Sequence, residues 1–296
     1  MVPECPPSSN GSAVACSSSP EHRAGRDGFL RLLFERQGDA TVLRRSRFTL
    51  PLQVLSPLTL DDGTSYLMLL NPTGGILGGD RLYTEIMLRQ DTNVCLSTPS
   101  ASRVYRTSGE TAVQETKIRL ETGATLEYLP DHLIPHQGSS LRQTLHVEME
   151  TGSRGIFLDA FASGRQALQE NWNFRDLDLR TEIYLEAKPL FLNRSKMNPG
   201  QDHPNRLGAM GDYSYSATLI IIDPKFKNWR NAATALGREL DAISDLHGAP
   251  SLLPCCGISL RYLTKSAIAL AEANHRLWTT ARQEIFHLPP LDLRKY

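Results

Sequence analysis

The stretch Asn71–Arg89, NPTGGILGGDRLYTEIMLR, decides the fold class. Gly74, Gly75, Gly78 and Gly79 fall within six residues and are followed directly by Asp80 and Arg81. Glycine inside a strand or turn costs conformational entropy and adds no packing, so such a cluster implies positive φ or a backbone that something approaches closely. Two phosphate-binding folds are excluded. A Walker loop needs Lys-Ser/Thr where Asp80-Arg81 stands, and a dinucleotide fingerprint needs a helix opening after the glycines. The residues that follow, LYTEIMLR, alternate like a strand. What remains is a glycine-built double turn between strands that carries Asp80 to a strand mouth. There Asp80 either faces a ligand or hydrogen-bonds its own turn.

Outward from this turn, the chain from Gly28 to about Asp223 reads as strand after strand. Segments such as FLRLLFER, SYLMLL, NVCLSTP, RQTLHVEME and SATLIIID are short, alternating or β-branched, and bounded by Gly, Pro, Asp or Asn. Turn pairs recur at Asp62-Gly63, Thr122-Gly123 and Thr151-Gly152, and no long helix intervenes to build βαβ units. The pattern is mainly β. A sandwich, a barrel and a β-solenoid all satisfy it, since no fixed-period repeat stands out. From Trp229 the period changes. NWRNAATALGRELDAI places Trp229, Ala233, Leu236, Leu240 and Ile243 at helical spacing. After a break at GAPSLLPCCG, YLTKSAIALAEANHRLWTTARQEIF does the same with Ile268, Ala271, Leu277, Trp278, Ala281 and Ile285. The expectation is a tail over residues 1–27, rich in Ser, Pro and Gly and too poor in large apolar groups to order itself. One domain over 28–296 follows, with a β body to about 225 and a helical part over about 226–290 whose apolar stripes face the core.

Lys+Arg and Asp+Glu both total 32, so no global basic field draws the chain to nucleic acid or an anionic membrane. No run approaches the roughly 18 apolar residues of a membrane span. The five cysteines, Cys5, Cys16, Cys95, Cys255 and Cys256, are odd in number and show no CxxC pair, which favours free thiols in a reducing, cytoplasmic setting. The adjacent Cys255 and Cys256 read as structural.

Two other segments carry groups capable of chemistry. TPSASRVYRTSG, Thr98–Gly109, has small hydroxyls with Arg103, Tyr105 and Arg106, but no GxSxG elbow. LPDHLIPHQGSS, Leu129–Ser140, holds Asp131, His132 and His136. The two histidines lie four apart, which suits a metal on a helix, yet Pro130 and Pro135 argue for extended backbone.

Taken in order, LLNPTGGILGGDRL, LSTPSASRVYRTSG, LEYLPDHLIPHQGSS, FLDAFASGRQALQENWNF, PLFLNR and RYLTKSAIALAEANHRLWTTAR resemble the successive blocks of the urease accessory protein UreD family, called UreH in some species. The resemblance covers roughly Phe29 to Arg282. It implies a β-helix-like stack of sheets with two C-terminal α-helices, acting as a non-catalytic scaffold for loading nickel into apo-urease. Implied partners are the urease apoprotein, a UreF-like accessory protein and, through it, a UreG-like GTPase. No stably bound cofactor is implied, only nickel in transit through an internal tunnel. On this resemblance Asp80, Ser102 and Asp159 are candidate ligands along the path. Asn193, which stands where relatives carry an acid, and His132 and His136, which lie in a variable segment, complete the candidate nickel path. The resemblance also implies that the C-terminal helices dock the UreF-like partner, with Arg282 as an exposed contact. The competing function is a carbohydrate-active enzyme on a β-solenoid that uses Asp80 and Asp159 as paired carboxylates.

Overall fold

The computed structural model describes residues 26–202, 204–206 and 208–293. Nearly all of the expected tail, with Cys5 and Cys16, lies outside the described residues.

Strict alternation builds the first sheet. In β6 (Arg81–Leu88), Leu82, Ile86 and Leu88 turn inward with Thr84 among them, while Arg81 and Glu85 face out. The same rule holds for β1 (Asp27–Gln37), β9 (Ala112–Leu120), β12 (Ser140–Met149) and β14 (Asp176–Leu185). These five strands are parallel neighbours, and β2 (Ala40–Thr49) and β15 (Lys188–Met197) close the edges antiparallel. The resulting seven-stranded order is β15-β14-β12-β9-β6-β1-β2. Its outer face is open to solvent and carries cross-strand ion pairs such as Arg31–Glu85 at 2.7 Å and Arg119–Glu150 at 3.1 Å.

The second sheet is covered on both faces, so its strands read as near-continuous apolar runs. Parallel β5 (Ser65–Leu70), β7 (Asn93–Ser97), β10 (Thr125–Leu129) and β13 (Arg154–Ala162) form its centre. Antiparallel β16 (Tyr215–Ile222), β18 (Gly257–Thr264) and β17 (Leu246–Leu252) extend it on one side. On the other side β3 (Gln53–Val54) and β4 (Leu58–Thr59) pair with β5. The chain alternates between the sheets from β6 to β14, and each circuit stacks on the last. Two short strands, β8 (Ser102–Val104) and β11 (Leu133–Pro135), form a third ladder at one corner. The fold is a β-solenoid, the one architecture of the three compatible with the pattern that stacks parallel coils. Its repeat is irregular because the coils differ in length: Arg81 aligns with Val113, Val113 with Arg142, and Arg142 with Asp178.

Two cores result. One lies between the sheets and contains Leu32, Phe34, Ile86, Leu96, Ile118, Leu126, Val147 and Phe157. The other lies on the outer face of the second sheet, where Ile156, Leu219, Ile221, Leu260 and Tyr262 pack under two helices. α1 (Pro199–Asp202) is a single turn in the β15–β16 connection. α2 (Trp229–Asp241) buries Trp229, Ala232, Leu236 and Leu240, and each fully buried leucine contributes about 1.5–3 kcal/mol relative to exposure. α3 (Ala267–Thr280) is capped by the Ser266 side chain, which accepts from the Ile268 and Ala269 amides at 3.2 and 3.4 Å. It buries Ala269, Leu270, Ala273, Leu277 and Trp278. No helix among the described residues is long and apolar enough to cross a membrane.

Three expectations need correction. The C-terminal part is not purely helical, because the β17–β18 hairpin comes between α2 and α3 in the chain and extends the second sheet. Ile268 is not on the buried stripe and stands 80% exposed, since the helix starts at Ala267 and turns Ala269 and Leu270 inward. Arg282 is not an exposed docking residue. It is 0% exposed, four residues beyond Trp278 and therefore on the same buried face. Its guanidinium donates to Glu127 Oε1, to Asp62 Oδ2 and, at 2.8 Å, to the Pro289 carbonyl. The Trp278 indole N–H donates to the other Glu127 oxygen. This network ties the end of α3 to β10 and to the Asp61–Thr64 turn. Removing one partner of a buried ion network leaves the others uncompensated, at a cost of about 3–5 kcal/mol. Arg282→Met should therefore lower the unfolding free energy measured in urea by about that amount. Adding Glu127→Gln and Asp62→Asn should restore much of the loss; full stability of the single variant would refute the network's role.

Candidate functional site

Three loops meet at the solenoid corner, and backbone hydrogen bonds hold them in order. Ile76 N–H donates to the Arg103 carbonyl and Tyr105 N–H returns to the Ile76 carbonyl, both at 2.8 Å. Ser102 N–H donates to the His132 carbonyl at 3.0 Å, so the glycine loop, β8 and β11 form one ladder. This explains the glycine cluster. Gly74 and Gly79 each take φ +82°, and a Cβ on Gly75 would stand 2.5 Å from the Arg103 carbonyl oxygen.

Of the two roles open to Asp80, the structure contains the turn. Asp80 Oδ2 accepts the Leu77 N–H at 2.8 Å, and the Asp80 N–H donates to the Leu77 carbonyl at 3.1 Å. The side chain is 1% exposed, Oδ1 has no hydrogen-bond partner, and burial pushes its pKa up.

Between the sheets a cavity of about 160 Å³ reaches from the corner loops into the strand interior. Ser102, Asp131, Gly74 and Gly75 line its loop end. Deeper, the walls are polar at positions that alternation reserves for the core: Thr84, Gln114, Thr116, Gln143 and Thr181 on the first sheet, Tyr128 and Asp159 on the second. Strand register aligns these groups. Leu82 pairs with Gln114 and Gln114 with Gln143, while Thr84 pairs with Thr116 and Leu145 with Thr181. The polar groups thus form a row that runs across the strands, parallel to the direction in which coils stack.

Asp159 is the carboxylate of that row. It is partly buried, facing the cavity, and accepts from Thr181 Oγ1 at 3.4 Å. Burial pushes its pKa up to about 6, which the Thr181 bond only partly offsets. Tyr128 bonds to Thr116, and burial pushes its hydroxyl up to about 12. Gln114 Oε1 has no protein partner. Beyond Asp159 the polar set continues towards the edge. Asp159 pairs with Thr218 and Thr218 with Arg261 in the second sheet, while Thr181 pairs with Asn193 in the first. Arg261 Nη2 donates to Asn193 Oδ1 at 2.9 Å and so bridges the two sheets.

Ser102 and Asp159 therefore line one cavity, Asn193 lies beside its inner end, and Asp80 is not among its walls. Asp80 and Asp159, the two carboxylates a glycosidase would need together, do not share this cavity. His132 and His136 flank strand β11, which separates residues four apart by roughly 13 Å. His132 packs edge-on against Tyr215 and His136 against Tyr105, with ring centroids 5.5 and 4.9 Å apart. Burial pushes both imidazole pKa values down, helped at His136 by Arg165. Among the described residues no group of three or more His, Cys, Asp or Glu is placed to hold a metal. Sequence reasoning missed Thr84, Gln114, Thr116, Tyr128, Gln143 and Thr181. The signal was present as polar residues in phase with core positions, as at Leu82-x-Thr84-x-Ile86.

A polar row lining a cavity inside a stacked-coil body, with helices packed on one sheet, defines a protein of the β-solenoid class. The chain belongs to the UreD urease accessory protein family, whose model matches residues 26–295. It is 31% identical over 276 residues to a urease accessory protein UreD of Deinococcus radiodurans, covering 92% of this chain and 96% of that one. A UreD of Lachnoclostridium phytofermentans is 28% identical over 270 residues, covering 91% and 98%. A third, from Herpetosiphon aurantiacus, is 30% identical over 276 residues, covering 89% and 94%. These relatives are named as accessory proteins rather than enzymes.

The raised Asp159 pKa makes a stability prediction. The folded state holds this proton up to about pH 6, whereas an unfolded Asp releases it near its ordinary value of 3.8. Asp159 therefore costs nothing below the unfolded pKa, and stability falls as pH rises through the folded one. Asp159→Asn should gain at most about 3 kcal/mol over the parent above pH 6, and the gain should vanish near pH 4. Thermal melts across that range measure it; a pH-independent difference would show that Asp159 does not titrate as argued.

Proposed function

We propose that the chain is a maturation scaffold that binds apo-urease together with a UreF-like accessory protein, and a UreG-like GTPase through it, and passes nickel along its interior polar row. It performs no turnover of its own and acts in the cytoplasm. Family membership supports a part in urease maturation. The observation that carries the conduit is the row itself. A divalent ion loses hydration free energy when buried, so a path through a protein needs oxygen ligands at intervals. Too many at one place would trap it. Hydroxyl, amide and carboxylate oxygens spaced across successive strands meet that requirement, and Asp159 supplies the negative charge at neutral pH. Ser102 belongs to the loop end of this path and Asn193 to the far end. Asp80 supports the path indirectly, by fixing the glycine turn at its loop end.

Asp159→Asn separates conduit from framework, because it keeps the shape and is expected to stabilise the fold. Urease matured with this variant should contain several-fold less nickel, with proportionate loss of activity, while pull-down of the complex is unchanged. Wild-type nickel content would remove Asp159 from the path. Loss of the complex would reassign it to assembly.

A further inference from the structure

The turn Leu253–Cys256 joins β17 to β18 and places two thiols side by side. Cys255 Sγ and Cys256 Sγ are 2.9 Å apart, with Cys255 exposed and Cys256 buried against the inter-sheet core. The turn is held at both sides: Leu253 N–H donates to the Gly257 carbonyl at 2.9 Å, and Asp223 N–H to the Cys256 carbonyl at 3.1 Å. Cys255 also lines an open cavity of about 310 Å³ whose wall includes Lys227, Arg230, Trp229 and Leu252. An exposed thiol, a second thiol in contact behind it and two cationic side chains around one cavity make a combination that packing alone does not require.

We infer that Cys255 and Cys256 form a thiol–disulfide exchange site that closes to a vicinal disulfide on reaction with a carboxylate-bearing, low-molecular-weight disulfide. Lys227 and Arg230 attract the carboxylates and hold the reagent over Cys255. The Cys255 thiolate attacks one sulfur of the reagent, forms a mixed disulfide and expels the first reagent thiolate. Cys256 then loses its proton and attacks Cys255 Sγ, expelling the second. Two protein thiols are oxidised and one reagent disulfide is reduced to two thiols. Exposure sets this order, and burial, which pushes the Cys256 thiol up to about 12, agrees with it. A ring closed between adjacent residues is strained, so its disulfide belongs to the readily reduced, regulatory kind rather than the structural kind.

Trypsin releases Glu239–Arg261 as one peptide that carries both residues and no other cysteine. The full-length folded chain, treated with glutathione disulfide and quenched with acid, should yield this peptide lighter by two hydrogens. Dithiothreitol should reverse the change, and buried Cys95 should remain reduced. Cys256→Ser should instead retain one glutathione on Cys255, showing which thiol reacts first. Lys227→Glu with Arg230→Glu should slow oxidation by glutathione disulfide several-fold, while leaving the rate with neutral hydroxyethyl disulfide unchanged. A peptide that stays reduced, or one that keeps an unresolved glutathione in the parent chain, would overturn the exchange site. Equal slowing with both reagents would overturn the role of the two cations.

Discussion

Parallel register is the constraint on which the rest of this molecule depends. In a strand the side chains alternate, so a slip of one residue exchanges the whole inner face for the outer one. Here the inner faces carry two sets at once: an apolar set that builds the core and a polar set that would be costly anywhere but beside a cavity. The pairing of Gln114 with Gln143 and of Thr84 with Thr116 collects the polar set into one row. Leu88, Leu120 and Met149 are collected by the same register into the apolar end of the same strands. Neither the core nor the row exists in any single coil.

Each sheet face answers to a different neighbour. The outer face of the first sheet meets water and carries ion pairs. That of the second meets α2 and α3, and the chain just beyond α3 is locked to the β body through Arg282, Glu127 and Asp62. Between the two sheets, burial raises the pKa of Asp159 to about 6. A carboxylate so placed is ionised at neutral pH yet poorly solvated, a state in which a passing cation is stabilised more than it would be in bulk water. Family membership supports a part in urease maturation; on the reading proposed above, the interior row is the physical means of handling an ion.

Much of this was legible in the residues. The run of strands, the glycine turn and the stripe of α2 all follow from local spacing, and the turn chemistry at Asp80 was one of two readings its sequence allowed. Other features were hidden for identifiable reasons. The solenoid repeat is obscured because loops of different length separate equivalent strands. The β17–β18 hairpin was lost because Gly, Pro and two cysteines interrupt its strands, and Tyr262 and Leu263 run into the helical pattern behind them. Arg282 looked like a surface residue since its partners, Asp62 and Glu127, lie far away in sequence. The polar row was invisible for the same reason, because strands distant in the chain each contribute only one or two members to it.

The central claim is that a divalent cation enters the inter-sheet cavity and is held there by Asp159. Crystals of the chain in complex with its accessory partner, soaked in nickel and measured at the nickel absorption edge, test it directly. The account predicts an anomalous peak between the sheets, at coordination distance from the Asp159 carboxylate and absent from Asp159→Asn crystals. Peaks confined to the surface, with the cavity empty of nickel at the same occupancy of ion in solution, would contradict it.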